Sequence, residues 1–326
     1  MKLVVLDGYT LNPGDLSWSA LPSGVECQVF DRTTPNQLYE RSKDADILLT
    51  NKTPLTSSAL KLLPSLKYIG VLATGYNVVD IEQADRQNIT VTNVPAYGTN
   101  SVAQLVFALI LELCNHVGQH SDAVRSGAWS RSLDWCFWQT PLIELHAKTL
   151  GIIGYGRIGQ SVARVAKAFG MDVGVASSRP PARQTGGERW LTVDEVFAQS
   201  DIVSLHCPLN AATQGMVHAG RIARMKKDAF LINTSRGGLI VEEDLADALN
   251  AGRIAGAALD VLSTEPPAES NPLLRARNCI ITPHIAWATR EARGRLMLAA
   301  LNNVAAWLAG RPENVVSGYS SNIERK

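Results

Sequence analysis

At 326 residues the chain is long for a single hydrophobic core, so two domains are expected. Its 46% hydrophobic and 19% charged residues are those of an ordinary globular protein and exclude extended disorder. A formal net charge of +1 gives no electrostatic reason to expect nucleic acid or an anionic membrane as a partner.

From the N-terminus, Lys2 to Leu6 reads as a short apolar strand, and Leu3-Val4-Val5-Leu6 before Asp7 is too short for a signal-peptide core. Ala45 to Thr50 and Leu66 to Val71 read as two further strands. Between them, Pro35 to Lys43 and Ser57 to Leu63 have the polar–apolar spacing of surface helices. This alternation predicts an α/β fold with parallel sheets, the first unit running from Met1 to about Ala96. Asn100 and Ser101 are expected to cap a helix over Val102 to Val117 that is apolar on nearly every side. Such a helix is expected to be buried, between domains or between subunits. Its apolar run Leu105 to Leu111 stops at Glu112, well short of a membrane span. Glu112, His116 and His120 fall at i, i+4 and i+8, but no H-E-x-x-H pattern is present, so packing is preferred to a metal site and no metal is expected.

Trp129 to Trp138 is rich in aromatics without a period, the pattern of a loop packed on its own domain or of an arm reaching a partner. A second α/β unit begins near Thr149 and runs to about Pro283. Glu291 to Ala309 is predicted as a final helix with Leu296, Leu298, Leu301, Val304, Ala305 and Leu308 on its apolar side, suited to crossing back onto the first unit. The five cysteines are scattered without a C-x-x-C pair, which suggests reduced thiols in a cytoplasmic protein.

Within the second unit, Thr149 to Ile153 reads as a strand and Arg157 to Phe169 as a helix closed by Gly170. Between them stands Gly154-Tyr155-Gly156-Arg157-Ile158-Gly159, a G-x-G-x-x-G loop in the strand–helix context that a dinucleotide cradle requires. Gly154 would permit the tight turn, Gly156 the close approach of a pyrophosphate, and Gly159 the packing of helix on strand. The next strand, Val173 to Ala176, ends in Ser177-Ser178-Arg179, with Arg183 close behind. An NAD site usually carries an acid at that point; hydroxyls and a guanidinium favour NADP(H) over NAD(H). Asp172 is expected at the far end of the same strand.

Three strands of this unit are followed by polar residues of complementary chemistry. Arg236 follows Ala229 to Asn233, Glu265 follows Ala255 to Val261, and His284 follows Cys279 to Pro283. Ligands of open α/β sheets bind outside these carboxyl ends. A guanidinium can hold a substrate carboxylate in a fork, an imidazole can protonate a nascent alkoxide, and a carboxylate can orient that imidazole. Together they suit transfer of a hydride between a ketone and an alcohol.

In these motifs and their order the chain resembles the D-isomer-specific 2-hydroxyacid dehydrogenase family over nearly its whole length. The resemblance implies Arg236, Glu265 and His284 as the catalytic residues. It implies cofactor contacts from Gly154, Tyr155, Gly156, Arg157, Ile158, Gly159, Ser177, Ser178 and Arg179, from the loop His206-Cys207-Pro208, and from Thr213, Thr234, Ser235, Asp260 and Ala286. Substrate contacts are implied for Lys52, for the backbone of Ala73-Thr74-Gly75, and for Arg236 and His284. The implied architecture is two Rossmann-like or flavodoxin-like domains with the active site in the cleft between them. Residues 1–100 with 287–326 would form a discontinuous substrate-binding domain, and 101–286 the dinucleotide-binding domain. Within the family, Leu6-Asp7-Gly8, Thr50-Asn51-Lys52-Thr53-Pro54 and Asp134-Trp135-Cys136-Phe137-Trp138 look most like glycerate dehydrogenases, also called hydroxypyruvate reductases. The expected reaction is therefore NAD(P)H-dependent reduction of a small 2-keto acid, hydroxypyruvate or glyoxylate, to the D-2-hydroxy acid. A homodimer is implied as well. A non-catalytic nucleotide-sensing relative, and a dehydrogenase for D-lactate or a branched 2-hydroxy acid, are the competing readings.

Overall fold

A computed structural model describes residues 1–178 and 186–318. The chain divides into two compact units, Met1–Gly98 with Ala288–Lys326, and Thr99–Trp287.

The first unit is built on a parallel sheet of β1 (Lys2–Val5), β2 (Glu26–Val29), β3 (Ile47–Thr50), β4 (Tyr68–Val71) and β5 (Thr90–Thr92), in the order β2-β1-β3-β4-β5. Strands β3 and β4 are buried at every position, and β1 at all but its first residue. Burial on both faces explains why they read as unbroken apolar runs, each Leu or Ile contributing about 1.5–3 kcal/mol. Strand β2 carries Glu26-Cys27-Gln28-Val29 at the sheet edge and is largely exposed, so it has no apolar signature; pairing with β1 alone defines it. Helix α1 (Pro35–Ser42) starts on a proline, and Gln37 Oε1 accepts from the Thr34 N–H at 3.1 Å. Side chains of Thr56 and Asp80 cap α2 (Ser57–Lys61) and α3 (Ile81–Arg86).

The C-terminal helix, Arg290–Leu308, packs on this unit through Leu296, Met297, Ala300, Leu301 and Val304. Leu298, Ala305 and Leu308, expected on the same side, are exposed; Leu298 is 54% exposed. Two residues past Leu296 is about 200° around a helix, which puts Leu298 on the opposite face. The buried stripe instead includes Arg293, whose guanidinium donates to both oxygens of Asp15, at 2.7 and 2.6 Å.

In the second unit a seven-stranded parallel sheet comprises β6 (Thr149–Ile153), β7 (Asp172–Ala176), β8 (Arg189–Trp190), β9 (Ile202–Leu205), β10 (Phe230–Asn233), β11 (Gly256–Leu259) and β12 (Cys279–Ile281). Its order, β12-β11-β10-β9-β6-β7-β8, reverses direction beside β6, the doubly wound arrangement of a dinucleotide-binding sheet. Helix α4 (Thr99–Asn115) begins three residues before the expected start, so Asn100 and Ser101 lie in its first turn and do not cap it. It ends at Asn115 because His116 is left-handed (φ 47°), and α5 (Val117–Arg125) continues at a bend of 54°. Glu112, His116 and His120 therefore do not share one helix face. His120 Nδ1 bonds the His116 carbonyl at 2.9 Å, and its Nε2 accepts from the Gln139 N–H at 3.2 Å. The buried side of α4, including Val106, Ile110 and Leu113, packs within this unit, against β10, β11 and α6 (Arg157–Ala168).

The segment from Trp129 to Trp138 contains one turn of 3-10 helix at Trp129–Arg131. Trp129, Leu133, Trp135 and Trp138 are exposed. It is held by Trp129 Nε1 donating to the Trp135 carbonyl at 3.0 Å and by Phe137 packing on the His120 ring. The remaining helices are α7 (Val193–Gln199), α8 (Ala219–Ile222) and α9 (Glu242–Asn250). Among the described residues no single helix is long and apolar enough to cross a membrane.

Candidate active site

The glycine loop lies between the end of β6 and the start of α6. Gly154 adopts φ +98°, and a Cβ there would strike the His206 carbonyl and the Cys207 amide. A Cβ on Gly159 would strike the Gly154 carbonyl, which is the close helix–strand packing expected. At Gly156, the N-cap of α6, a Cβ would meet nothing within 4 Å, and no side chain caps the helix. The first turn of α6 thus faces open space with its N–H groups and positive dipole end, as a diphosphate requires. Arg157 is exposed beside it and Ile158 packs into the core.

Tyr155, read from the sequence as a cofactor contact, has its side chain engaged within the unit. Its ring meets Trp190 edge-on with centroids 5.5 Å apart, and its hydroxyl bonds Glu188, which also receives Lys167 Nζ. The side chain thus packs against β8, leaving only its backbone to the glycine loop. Burial works to raise the Glu188 carboxyl, but the bonds from Lys167 and Tyr155 outweigh it and hold the group below the usual range. Ser177 and Ser178 follow β7, while Asp172 is exposed at the other end of that strand. Arg179 and Arg183 lie outside the described residues.

After β9, His206 shares a hydrogen bond with Ser204 Oγ at 2.8 Å through Nε2, while Nδ1 is enclosed without a partner among the described residues. Burial lowers this imidazole to about 4. Beyond Cys207 and Pro208, Thr213 closes the loop by donating its hydroxyl to the Pro208 carbonyl at 2.7 Å. At the end of β10 the Thr234 hydroxyl is buried and has no partner among the described residues. An orphaned hydroxyl is costly unless a ligand completes it. With the open space at Gly156 and the uncapped α6, it fits a dinucleotide lying along these strand ends.

Strands β10, β11 and β12 are neighbours, so the residues after them converge. Asn233 shapes the first turn: its amide donates to the Arg236 carbonyl at 2.8 Å and accepts from the Ser235 N–H at 3.0 Å. Arg236 is exposed; its Nη1 donates to the Ser235 carbonyl at 2.7 Å, and no acid of the described residues pairs with it. The next residue, Gly237, presses so closely on the Leu262–Ser263 peptide that any side chain would collide with it. This contact joins the Arg236 turn to the turn carrying Glu265.

Glu265 Oε2 lies 2.6 Å from His284 Nδ1. A carboxylate only accepts, so Nδ1 carries the proton and Nε2 is left as the working nitrogen. Asp260 fixes the backbone turn that carries His284. Its carboxylate accepts from Thr282 Oγ1 (2.6 Å), the Ile285 N–H (2.9 Å) and the Ala286 N–H (2.8 Å), while its carbonyl accepts from the His284 N–H (2.9 Å). These bonds hold His284 at φ +54°, in the left-handed region. Asp260, read from the sequence as a cofactor contact, thus also shapes the histidine turn. A cavity of about 570 Å³ in this unit lies at the opposite, amino-terminal strand ends, lined by Lys148, Asp201, Phe230 and Asn278, away from these groups.

In the first unit the candidate residues also follow strands. Asp7 accepts three backbone N–H groups after β3, from Asn51 (2.8 Å), Lys52 (2.6 Å) and Thr53 (2.8 Å), and leaves the Lys52 side chain exposed. Asn51 Nδ2 donates to the Leu72 carbonyl at 2.7 Å, tying this loop to the one after β4. There the Ala73 carbonyl accepts from Val94, the Thr74 carbonyl from Asn93, and the Thr74 hydroxyl donates to Val94. With those groups turned inward, the N–H groups of Ala73, Thr74 and Gly75 have no partner among the described residues.

Sequence reasoning missed Asp7 as a backbone anchor, Asn233, Gly237 and Glu242. The signals were present, an Asp after the first strand and the second residue of Arg-Gly-Gly, but neither says which backbone it meets.

The profile of the D-isomer specific 2-hydroxyacid dehydrogenase NAD binding domain matches residues 107–286. A hydroxypyruvate reductase of Blautia hydrogenotrophica is 52% identical over 321 residues, 97% of this chain and 100% of the relative. A glycerate dehydrogenase of Methylorubrum extorquens is 41% identical, over 97% of this chain and 98% of its own. Among solved structures, an NADPH-dependent glyoxylate/hydroxypyruvate reductase from Sinorhizobium meliloti superposes with a TM-score of 0.81 at 27% identity, covering 97% of each chain.

Proposed function

The chain belongs to the D-isomer specific 2-hydroxyacid dehydrogenase family, and from that premise we propose that it reduces hydroxypyruvate or glyoxylate to the D-2-hydroxy acid. The observation that carries the reading is the 2.6 Å pair of His284 and Glu265 beside the turn of an exposed Arg236 that no acid of the described residues pairs. Gly154 to Gly159, Thr234 and Ser235 would hold a reduced nicotinamide dinucleotide along the strand ends, which when bound would supply the hydride that ketone reduction needs. Arg236 grips the substrate carboxylate in its planar fork and offsets charge growing on the carbonyl oxygen. His284 delivers the proton from Nε2 to that oxygen, and Glu265 keeps the ring oriented and its Nδ1 protonated.

The remaining assignments belong to the same proposal. The unit of residues 1–98 and 288–318 is the substrate-binding unit, contributing Lys52 and the backbone N–H groups of Ala73, Thr74 and Gly75. NADP(H) is the preferred cofactor: the described part of the turn after β7 offers Ser177 and Ser178 and no carboxylate to repel a ribose phosphate. The protein acts in the cytoplasm as a homodimer, its five cysteines present as free thiols.

The test is to follow dinucleotide absorbance with hydroxypyruvate, glyoxylate, pyruvate and a branched keto acid, each with NADPH and with NADH. Turnover of the two small hydroxy- or aldehydo-keto acids, faster with NADPH, is expected. A protein that binds the dinucleotide and turns over none of the four would overturn the reading.

A further inference from the structure

Glu242 is a buried carboxylate for which the chemistry above has no use. It opens α9, is 8% exposed, and commits both oxygens to other segments. Oε1 accepts from the Ser263 N–H and Oε2 from Asn271 Nδ2, each at 2.7 Å. Ser263 stands two residues before Glu265, in a stretch without helix or strand. Gly237 presses on the same Leu262–Ser263 peptide, where any side chain would collide with it. The turn then closes on its own acid, the Leu262 N–H donating to Glu265 Oε1 at 3.1 Å. Glu265 Oε2 is the atom that meets His284.

We propose that Glu242 is a positioning residue: through Ser263 it sets the turn that holds Glu265 against His284. It touches neither substrate nor cofactor, and its kinetic consequence rests on His284 being the proton donor proposed above. The chemistry of its partners makes the role specific to a carboxylate. Both are donors, so a group with two acceptor oxygens satisfies both. An amide in its place presents an N–H to one of them, and a buried donor facing a donor forces the turn to move. Misplacing a catalytic group by about 1 Å costs on the order of 100-fold in rate.

The direct readout is the proton NMR signal of His284 Nδ1–H, assigned by its loss in His284→Asn. A short bond to a carboxylate places it far downfield and protects it from exchange. In Glu242→Gln the signal should move upfield or disappear, and kcat should fall roughly 10- to 100-fold. The dissociation constant for the dinucleotide should stay within about twofold, since the bonds of Glu242 go to Ser263 and Asn271 and not to the glycine loop. The double variant Glu242→Gln with Asn271→Asp exchanges donor for acceptor across the pair. The introduced amide then accepts from Ser263 through its oxygen and donates through its nitrogen to the introduced carboxylate, so signal and kcat should return. Because this arrangement is satisfied, the double variant carries the test if the single variant does not fold. A folded Glu242→Gln protein with unchanged signal, or a folded double variant in which the signal stays lost, would overturn the proposal. If the signal follows Glu242 as expected while no keto acid is reduced, the positioning role stands and the functional reading falls.

Discussion

At the scale of single residues, Arg236 carries a charge that no acid of the described residues neutralises, on a turn fixed by Asn233. Its value to the reaction lies in geometry as well as charge. Arg236→Lys keeps the charge but loses the fork, so kcat/KM for keto acids should fall by about 2.7–4 kcal/mol, the range of oxyanion donors. Dinucleotide affinity, measured by fluorescence titration, should hardly change; normal keto-acid kinetics in the variant would count against the clamp. Ala147 illustrates a different residue-level effect. It precedes β6 at φ +59°, where a Cβ crowds the backbone. Ala147→Gly should therefore raise the urea midpoint, with a stabilisation of about 1 kcal/mol, and an unchanged or lower midpoint would contradict that account.

At the scale of elements, the candidate site residues gather where parallel strands end, and each end is braced by a polar side chain. Asp260 braces the end of β12, Asn233 that of β10, and Asp7 that of β3. The brace after β9 is of another kind, because His206 is held neutral. Its folded value is about 4 against 6.5 ordinarily, so the unfolded chain takes up this proton first as pH falls. The contribution to stability is therefore complete above about pH 6.5, is lost between 6.5 and about 4, and is constant below. The loss should reach on the order of 3 kcal/mol, at 1.36 kcal/mol per pH unit. Urea unfolding at a series of pH values should show this slope, and His206→Gln should flatten it. Equal slopes in the two proteins would assign the acid sensitivity elsewhere.

For the whole molecule, the open question is association. The segment around Trp129 to Trp138 leaves three tryptophans exposed, Trp135 at 86%. Leu133 and Leu142 extend the same apolar exposure. Exposed large apolar side chains gathered in one stretch commonly mark an interface. The protein should therefore sediment at micromolar concentration with twice the chain mass, and Trp135→Ser with Trp138→Ser should weaken the dimer. A wild-type monomer would show that the arm serves another end.

What the sequence determined by itself was local. Thr149–Ile153 was legible because a strand buried on both faces must be apolar throughout, and the glycines beside it announced a turn that only they can make. Arg236, Glu265 and His284 stood out because each follows an apolar strand. Edge strand β2 was not, since Glu26-Cys27-Gln28-Val29 buries little and owes its form to β1. Helix α4 was misplaced at both ends: Thr99 to Ser101 resemble a cap, and the break at His116 is a backbone choice that no side-chain pattern records. Tertiary structure alone decided which groups meet. The order β12-β11-β10 brings Glu265 to His284 across 19 residues and Glu242 to Ser263 across 21. The same packing turns Tyr155 away onto Trp190 and Glu188. A hydrogen bond between segments distant in sequence depends on sheet order and on close backbone approach, as at Gly237, and neither is written in the residues that make the bond.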